Sequence, residues 1–328
     1  MNFTHLHLHT QYSLLDGAIL IPELIEYLKK YEMKACAITD HGWMAGVIDF
    51  YKNCKANNIK PLIGVEAYIT EDEDGKENKD KVRDNGHLVL IAKNNQGYRD
   101  LLRLCSEAAL NNFYYKPRIS KRKLTQLSGN VVVTTACLGG VLADKLEWKE
   151  DEYGRATECF DPNGTAVANE VDFYLDTFGQ DFYLEIQEWD SGDGYQQQYN
   201  RYLLDNFRAR SIPFVIAADA HYLRSEDYEL HKLLMALQMK MTVAQYEDKP
   251  EMQYGPYFYV KTPEEMMEAA KKWNCEEAFH NTNQIADQCD VSIELGSYQL
   301  PRFKIEEAED YREFLKWKEC AKHKQLEK

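Results

Sequence analysis

The stretch His5–Gly17, HLHLHTQYSLLDG, spends three of the chain's 9 histidines on alternate positions of one short run and closes on an Asp-Gly pair. Side chains alternate faces along a strand, so this spacing predicts a strand with His5, His7 and His9 on one side and Leu6 and Leu8 on the other. Three imidazoles on one face can converge on a metal ion, and two from an HxH pair suffice to begin a site. His5 is the member most easily spared. The competing interpretation is a solvent-facing histidine stripe with no ligand. The Asp-Gly turn can bring the Asp16 carboxylate back to the same end of the strand.

Further along, short apolar runs recur, among them ACAITDHG, KPLIGVEAYI, HLVLIAKN, NVVVTTACLGG, DFYLEIQ and PFVIAADAHY. Amphipathic stretches such as IPELIEYLKKYEM, WMAGVIDFYKNCKANN and QGYRDLLRLCSEAAL separate several of them. Strand alternating with helix predicts an α/β fold with a parallel sheet, and about seven such units closing on themselves make a barrel. An open doubly wound sheet is the alternative, but no GxGxxG or P-loop string stands at a strand–helix junction.

Polar residues collect at the edges of these runs: Asp40 and His41 in ITDHG, Glu66 in GVEAY, His87 opening HLVLIA, Cys137 in TTACLGG, Asp219 and His221 in ADAHY. In a β/α barrel the C-terminal strand ends share one mouth. Each residue has an ordinary explanation alone: Asp40 as a helix cap, His41 as a satisfied core imidazole, Glu66 paired with a lysine, Cys137 as a small buried hydrophobe. Together, His7, His9, Asp16, His41, Glu66, His87, Cys137, Asp219 and His221 exceed what one ion can use. A cluster of two or three ions can use them, with bridging carboxylates.

Composition narrows the rest. With 328 residues, 44% of them hydrophobic, the chain can bury a large core, and its net charge of −15 argues against coating nucleic acid through a general positive field. The 8 cysteines form no CxxC pair and are expected as reduced thiols. No apolar run approaches the roughly 20 residues of a membrane helix, and the first residues lack the pattern of a signal peptide, so a cytoplasmic protein with no membrane partner is expected. TEDEDGKENKDKVRDNG, Thr70–Gly86, is expected to be a mobile surface loop. In NNFYYKPRISKRKL, Tyr114 and Tyr115 could stack bases while Lys116 and Arg118 hold phosphates, with Pro117 keeping the segment extended. A hydrophobic turn leading into a solvated basic helix is the alternative. His231 and His280 lie in helical contexts and are read as structural.

The strings HLHLHTQYSLLDGA, ITDHG, GVEAY, HLVLIAKN, TTACLGG and ADAHYL closely resemble, in order and context, the PHP (polymerase and histidinol phosphatase) domain that forms the N-terminal part of the bacterial DNA polymerase III alpha subunit. NNFYYKPRISKRKL and FHNTNQIADQCDVSIELGSYQLPRF resemble the same family, so the likeness extends over essentially the whole chain. It implies a distorted (β/α)7 TIM-like barrel, the PHP fold, over residues 1–285, then a linker and the incomplete start of a polymerase palm over 286–328. It implies three divalent metal ions held by the nine residues named above, with His5 and Asp40 behind them. Many stand-alone relatives carry histidine where Cys137 stands; a thiolate favours zinc, the carboxylates also suit manganese, and iron or magnesium remain alternatives. The implied activity is metal-dependent phosphodiester hydrolysis, a proofreading 3′–5′ exonuclease on a DNA 3′ end, with metal-activated hydroxide rather than a side chain as nucleophile. The implied partners are the DNA end, the palm and fingers of the alpha subunit in cis or in trans, and other replisome subunits; no polymerase active site is expected within this chain. Two alternatives stand beside this: a non-catalytic scaffold that stabilises the polymerase or docks a proofreading subunit, and a histidinol-phosphatase-like phosphomonoesterase.

Overall fold

Short β-branched-rich runs of Val, Ile, Leu and Ala with little polar interruption fit strands buried on both faces, and the chain forms them where the sequence is most uniformly apolar. The computed structural model describes residues 1–71, 85–189, 194–249, 255–297 and 312–319. Most of the polar stretch Thr70–Gly86, residues 72–84, thus lies outside the described residues.

The strands are β1 (Ala35–Ile38), β2 (Lys60–Thr70), β3 (Gly86–Ala92), β4 (Phe113–Tyr114), β5 (Lys116–Ser120), β6 (Val131–Thr134), β7 (Glu147–Glu150), β8 (Ala156–Phe160), β9 (Phe182–Gln187) and β10 (Phe214–Ala217). The main sheet has the order β10-β9-β6-β3-β2-β5-β4, and β1 pairs with the first half of β2, Ala35 opposite Lys60 through Ile38 opposite Ile63. β7 and β8 form a separate antiparallel hairpin.

The histidine run departs from the expected regular strand. It makes isolated parallel bridges, His5 with Cys36 and Leu8 with Ala220, rather than a continuous ladder. On one side Ala37 N–H donates to the His5 carbonyl at 2.8 Å and Thr39 N–H to that of Leu8 at 3.0 Å; on the other, His9 N–H donates to the Ala220 carbonyl at 2.8 Å. The hydrogen-bonded path therefore runs from β10 across the sheet to β1 and back through residues 5–9, which gives a mixed α/β fold with a curled sheet, consistent with a distorted TIM-like barrel.

Two strands break the all-parallel expectation, β4 at the sheet's edge, antiparallel to β5, and β3 within it. β3 is antiparallel to both β2 and β6, with Tyr68 opposite His87 and Val89 opposite Thr134. Its start therefore lies at the rim where its neighbours end. That is why His87 opens its strand while His41, Cys137 and His221 follow theirs.

Helices cover the outside: α1 (Ile21–Lys30), α2 (Val47–Ala56), α3 (Asn95–Asn111), α4 (Ala166–Phe178), α5 (Tyr195–Phe207), α6 (Tyr228–Gln238), α7 (Val243–Glu247), α8 (Pro263–Lys272) and α9 (Glu276–Gln288). α1 shows how the pattern works: Ile21, Leu24, Ile25 and Leu28 recur at helical spacing and are the face it buries. The Asn94 side chain starts α3 by accepting from Gln96 N–H at 2.9 Å and Gly97 N–H at 3.0 Å. α2 packs on β2, α3 on β3 and β5, and α9 on β10. Leu6, Leu62, Val89, Ile91, Val132 and Val215 meet in the core beneath the rim. By packing, residues Met1–Ser292 form one compact unit and Ile293–Lys328 another, in which 312–319 are helical. Among the described residues no helix is long and apolar enough to cross a membrane.

Candidate metal centre

Glu66 stands inside β2, where a carboxylate among Val65 and Ala67 costs burial energy unless something answers its charge. Histidines answer it. One oxygen lies 3.3 Å from His7 Nε2 and 2.9 Å from His87 Nδ1; the other lies 3.4 Å from His9 Nε2 and 2.6 Å from His41 Nδ1. Cys137 Sγ is 3.9 Å from Glu66 and 3.7 Å from His87 Nδ1. Asp219 Oδ1 lies 3.2 Å from His7 Nε2, 3.3 Å from His9 Nε2 and 3.6 Å from His221 Nδ1. Asp16 Oδ2 lies 3.0 Å from His41 Nε2 and 3.8 Å from His221 Nε2. The structure thus places all nine residues singled out in the sequence in one network at the rim.

The histidines are turned by partners behind them. His7 Nδ1 lies 2.7 Å from Glu185, an acceptor, so Nδ1 carries the proton and the Nε2 lone pair faces the cluster. Glu185 also accepts from Thr134 Oγ1 and, at 2.8 Å, from Gln187 Nε2. For His9 the relay is longer: Ser13 Oγ donates to Asp40 at 2.8 Å and therefore accepts from His9 Nδ1 at 3.1 Å. His221 Nδ1 donates to the Asp219 carbonyl oxygen at 2.8 Å, which again leaves Nε2 as the acceptor nitrogen. The inward-facing atoms of the histidines then crowd against the carboxylates of Glu66 and Asp219. His7 Nε2, His9 Nε2, Asp16 Oδ1, His41 Nδ1, Glu66 Oε2 and Asp219 Oδ1 are buried and find no well-aligned hydrogen-bond partner, although His41 Nδ1 and Glu66 Oε2 stand 2.6 Å apart as an ion pair. Each such atom costs about 1–3 kcal/mol unless satisfied. Cations satisfy all of them at once, and nitrogen, oxygen and sulfur donors in this mixture fit divalent ions.

Three ligand triplets, His9/His41/His221, His7/His9/Glu66 and His41/Glu66/His87, each have their ligand atoms within 4.8 Å of one another. The electrostatics agree. Burial disfavours charge on Glu66, yet His87, His41 and His7 outweigh it and hold the carboxyl well below its usual range. Burial likewise opposes ionisation of Asp16, and His221, His231 and His41 overcome it. His41 is pushed up to about 10 because Glu66 and Asp16 outweigh its burial. His9 goes the other way, down to about 3, through burial and then the neighbouring His41 and His221. Burial, then Asp219 and Glu66, push the Cys137 thiol well above its ordinary value.

Backbone strain marks the same rim. Leu15, Ala136 and Asp219 all adopt positive φ, at 63°, 57° and 49°, each a ligand-set residue or its immediate neighbour. Gly17 is required beside Asp16, because a Cβ there would sit 2.1 Å from the Thr10 carbonyl oxygen.

Several expected residues are placed differently. His5 points elsewhere: its Nε2 lies 2.9 Å from the Lys261 carbonyl and its ring packs edge-on against Phe3. Asp40 is no helix cap; it braces the Thr10–Ser13 turn, accepting from Thr10 N–H at 2.7 Å and Thr10 Oγ1 at 2.9 Å as well as from Ser13. NNFYYKPRISKRKL forms the β4–β5 hairpin and then, from Lys121, opens a short basic 3-10 helix, Lys121–Leu127, and it splits the four residues expected to touch DNA. Arg118 is only 1% exposed, which withdraws it from the surface set because β5 is inserted beside β2, while Tyr114, on whose ring it stacks, stays half-buried. Tyr115 and Lys116 instead line a cleft of about 200 Å³ together with Asp16 and His41. Two residues were missed. Glu185 sits in FYLEIQ at what looks like an outward polar position, but all six residues of β9 are buried. His231, read as structural, has Nε2 3.8 Å from Asp16 Oδ1 and its ring edge-on to His221.

Comparison with known proteins adds three findings. The PHP domain family model matches residues 5–188. The chain is 37% identical over 332 residues to the DNA polymerase III subunit alpha of Thermus aquaticus, covering 96% of this chain and 25% of that protein. It is 36% identical over 305 residues to that of Campylobacter jejuni, covering 92% of this chain and 24% of the relative. The chain spans about a quarter of the length of these curated relatives. Among solved structures it is similar to a two-domain protein from Bacteroides vulgatus, described as containing a predicted PHP-like metal-dependent phosphoesterase, with TM-score 0.34, 10% identity, and coverage of 90% of this chain and 72% of that one.

Proposed function

The chain belongs to the PHP domain family, and on that premise we propose that it is a metal-dependent phosphoesterase acting on the 3′ ends of DNA, a proofreading 3′–5′ exonuclease within a bacterial DNA polymerase III alpha subunit. The observation that carries the proposal is the set of six buried, inward-facing atoms without well-aligned hydrogen-bond partners, contributed by His7, His9, Asp16, His41, Glu66 and Asp219. The holding residues would be these with His87, Cys137 and His221, taking three divalent ions, zinc or manganese by donor chemistry. Such ions, when bound, polarise the phosphoryl group and lower the pKa of water.

The chain's own residues do the rest. Glu185 and Ser13 keep the His7 and His9 rings turned so that Nε2 faces the reaction centre. Glu66, with one oxygen toward each side of the cluster, fixes the spacing of the donors. Lys116, whose Nζ bonds the Tyr68 hydroxyl at 3.2 Å at the lip, orients a substrate phosphate. In the reaction, water oxygen joins phosphorus, the bond from phosphorus to the 3′ oxygen of the penultimate nucleotide breaks, and that oxygen takes a proton. The products are a nucleoside 5′-monophosphate and a strand shortened by one. In this reading residues 1–285 are the hydrolytic domain and 286–328 lead toward a palm, with the remaining polymerase domains and replisome subunits as partners.

The test is metal analysis of the purified chain joined to hydrolysis of a 3′-mismatched primer with manganese or zinc. Mononucleotide release that chelator stops and His7→Ala with His9→Ala abolishes supports the proposal. Preferential phosphate release from a monoester would make the chain a phosphatase. Hydrolysis of neither, with chelation lowering only the melting temperature, would make the centre a structural one and the chain a scaffold.

A further inference from the structure

Four large aromatic side chains are exposed among the described residues of 1–292: Trp43, Phe113, Tyr115 and Tyr153. Three of them, Trp43 at 43%, Phe113 at 50% and Tyr115 at 62% exposure, ring a single cleft, and the same cleft is lined by Asp16 and His41 of the metal centre and by Lys116. Large apolar rings held at a surface cost free energy in the absence of something to cover them. Here the backbone goes out of its way to hold them. Gly42, between His41 and Trp43, adopts φ +63°, and a Cβ at that position would meet Pro117 at 2.8 Å. Tyr115 itself takes φ 60° at the corner of the β4–β5 hairpin, a conformation a bulky residue avoids. The lip is joined to the centre by Tyr68, whose ring lies under Lys116 Nζ at 5.0 Å and edge-on to His87 at 5.1 Å.

A phosphate group beside His41 needs neither stacking surface nor a nearby cation of this kind if it carries only a small alkyl ester. A nucleotide needs both: a flat base with two π faces, and a phosphate one sugar away. We propose that Trp43, Phe113 and Tyr115, with Lys116, form a subsite for the unpaired terminal nucleotide of a DNA strand, the base stacking on the aromatic rings and Lys116 holding the phosphate over the metal centre. The inference rests on the hydrolytic reading above and adds to it the source of selectivity. A base in a duplex offers no free face and must leave the stack to enter, so a frayed or mismatched 3′ end enters at lower cost than a paired one.

The test measures binding. The full chain, loaded with manganese, is titrated with fluorescein-labelled pentathymidylate whose terminal linkage is a phosphorothioate, and with the same oligonucleotide ending in an abasic 3′ residue. Wild type is expected to bind the base-ended strand about 5- to 100-fold more tightly than the abasic one. Trp43→Ala and Tyr115→Ala should erase most of that ratio, Trp43→Phe should keep it, Lys116→Ala should weaken both strands alike, and Tyr153→Ala should change nothing. Equal affinity of wild type for the two strands, or an unchanged ratio in Trp43→Ala, overturns the subsite. Hydrolysis is scored separately: a ratio without hydrolysis leaves the subsite and removes the exonuclease, whereas hydrolysis without a ratio does the reverse.

Discussion

Glu66 and Glu185 are both carboxylates buried in strands, yet they act in opposite directions, one into the centre and one from behind it. Glu66 was legible because GVEAY puts an acid inside an apolar run. Glu185 was not, because FYLEIQ has the alternation of a half-exposed strand, and only the curled sheet and its helices bury both faces. The same limit hid His231, which meets Asp16 across more than two hundred residues of sequence. Glu185→Gln removes the charge behind His7 while leaving an acceptor, and should lower affinity for zinc or manganese by about 10- to 100-fold in a metal titration. Unchanged affinity would show that His7 needs no such partner. Lys261 supplies a residue-scale pH prediction. Burial, against the attraction of Glu265 and Glu188, lowers its pKa from 10.5 to about 8. The folded state then disfavours its charge, so its contribution to stability rises as pH climbs from about 8 to 10.5 and is lost as pH falls back. The stability of Lys261→Met relative to wild type should therefore be greater at pH 7 than at pH 10.5, by on the order of 3 kcal/mol. Denaturant melts of both proteins across this range measure the difference, and a difference that does not fall as pH rises contradicts the assignment.

At the scale of elements, six of the seven expected strand segments and the helices between them followed from apolar runs and helical spacing, the histidine run making only isolated bridges, but the strand directions did not follow. Nothing in HLVLIA distinguishes a parallel from an antiparallel central strand, and the reversal of β3 is visible only in the register of Tyr68 with His87. The β4–β5 hairpin was hidden for a related reason: Pro117 and the basic residues suggested a surface segment, while pairing of β5 with β2 buries Arg118. The turn after the histidine run serves the site in two ways, since it holds Asp16 and, through Ser13, orients His9, with Gly17 permitting its close approach to Thr10. Gly17→Ala places a Cβ 2.1 Å from the Thr10 carbonyl oxygen, and the turn has to move. A loss of about 1–3 kcal/mol of stability is expected, together with weaker metal binding because Asp16 moves with the backbone. Thermal melts with and without metal check it; a variant as stable and as metal-avid as wild type would show the turn to be slack.

For the whole molecule, the net charge of −15 and the carboxylates gathered at one rim both favour cations over polyanions. Bound ions would relieve that repulsion and hold residues 5–9, β2, β3 and the stretch after β10 together. Saturating zinc or manganese at about a thousand times the dissociation constant should add about 4 kcal/mol to stability, and chelator should remove it. No difference in melting temperature between the two conditions would mean that the rim is stable without cations. The most direct measurement of the central claim is anomalous diffraction from crystals of the chain grown with zinc or manganese. Peaks about 2.0–2.3 Å from the nitrogens of His7, His9, His41, His87 and His221 and from the oxygens of Asp16, Glu66 and Asp219 are predicted; a rim with no peak, or ions bound only elsewhere on the surface, would contradict it.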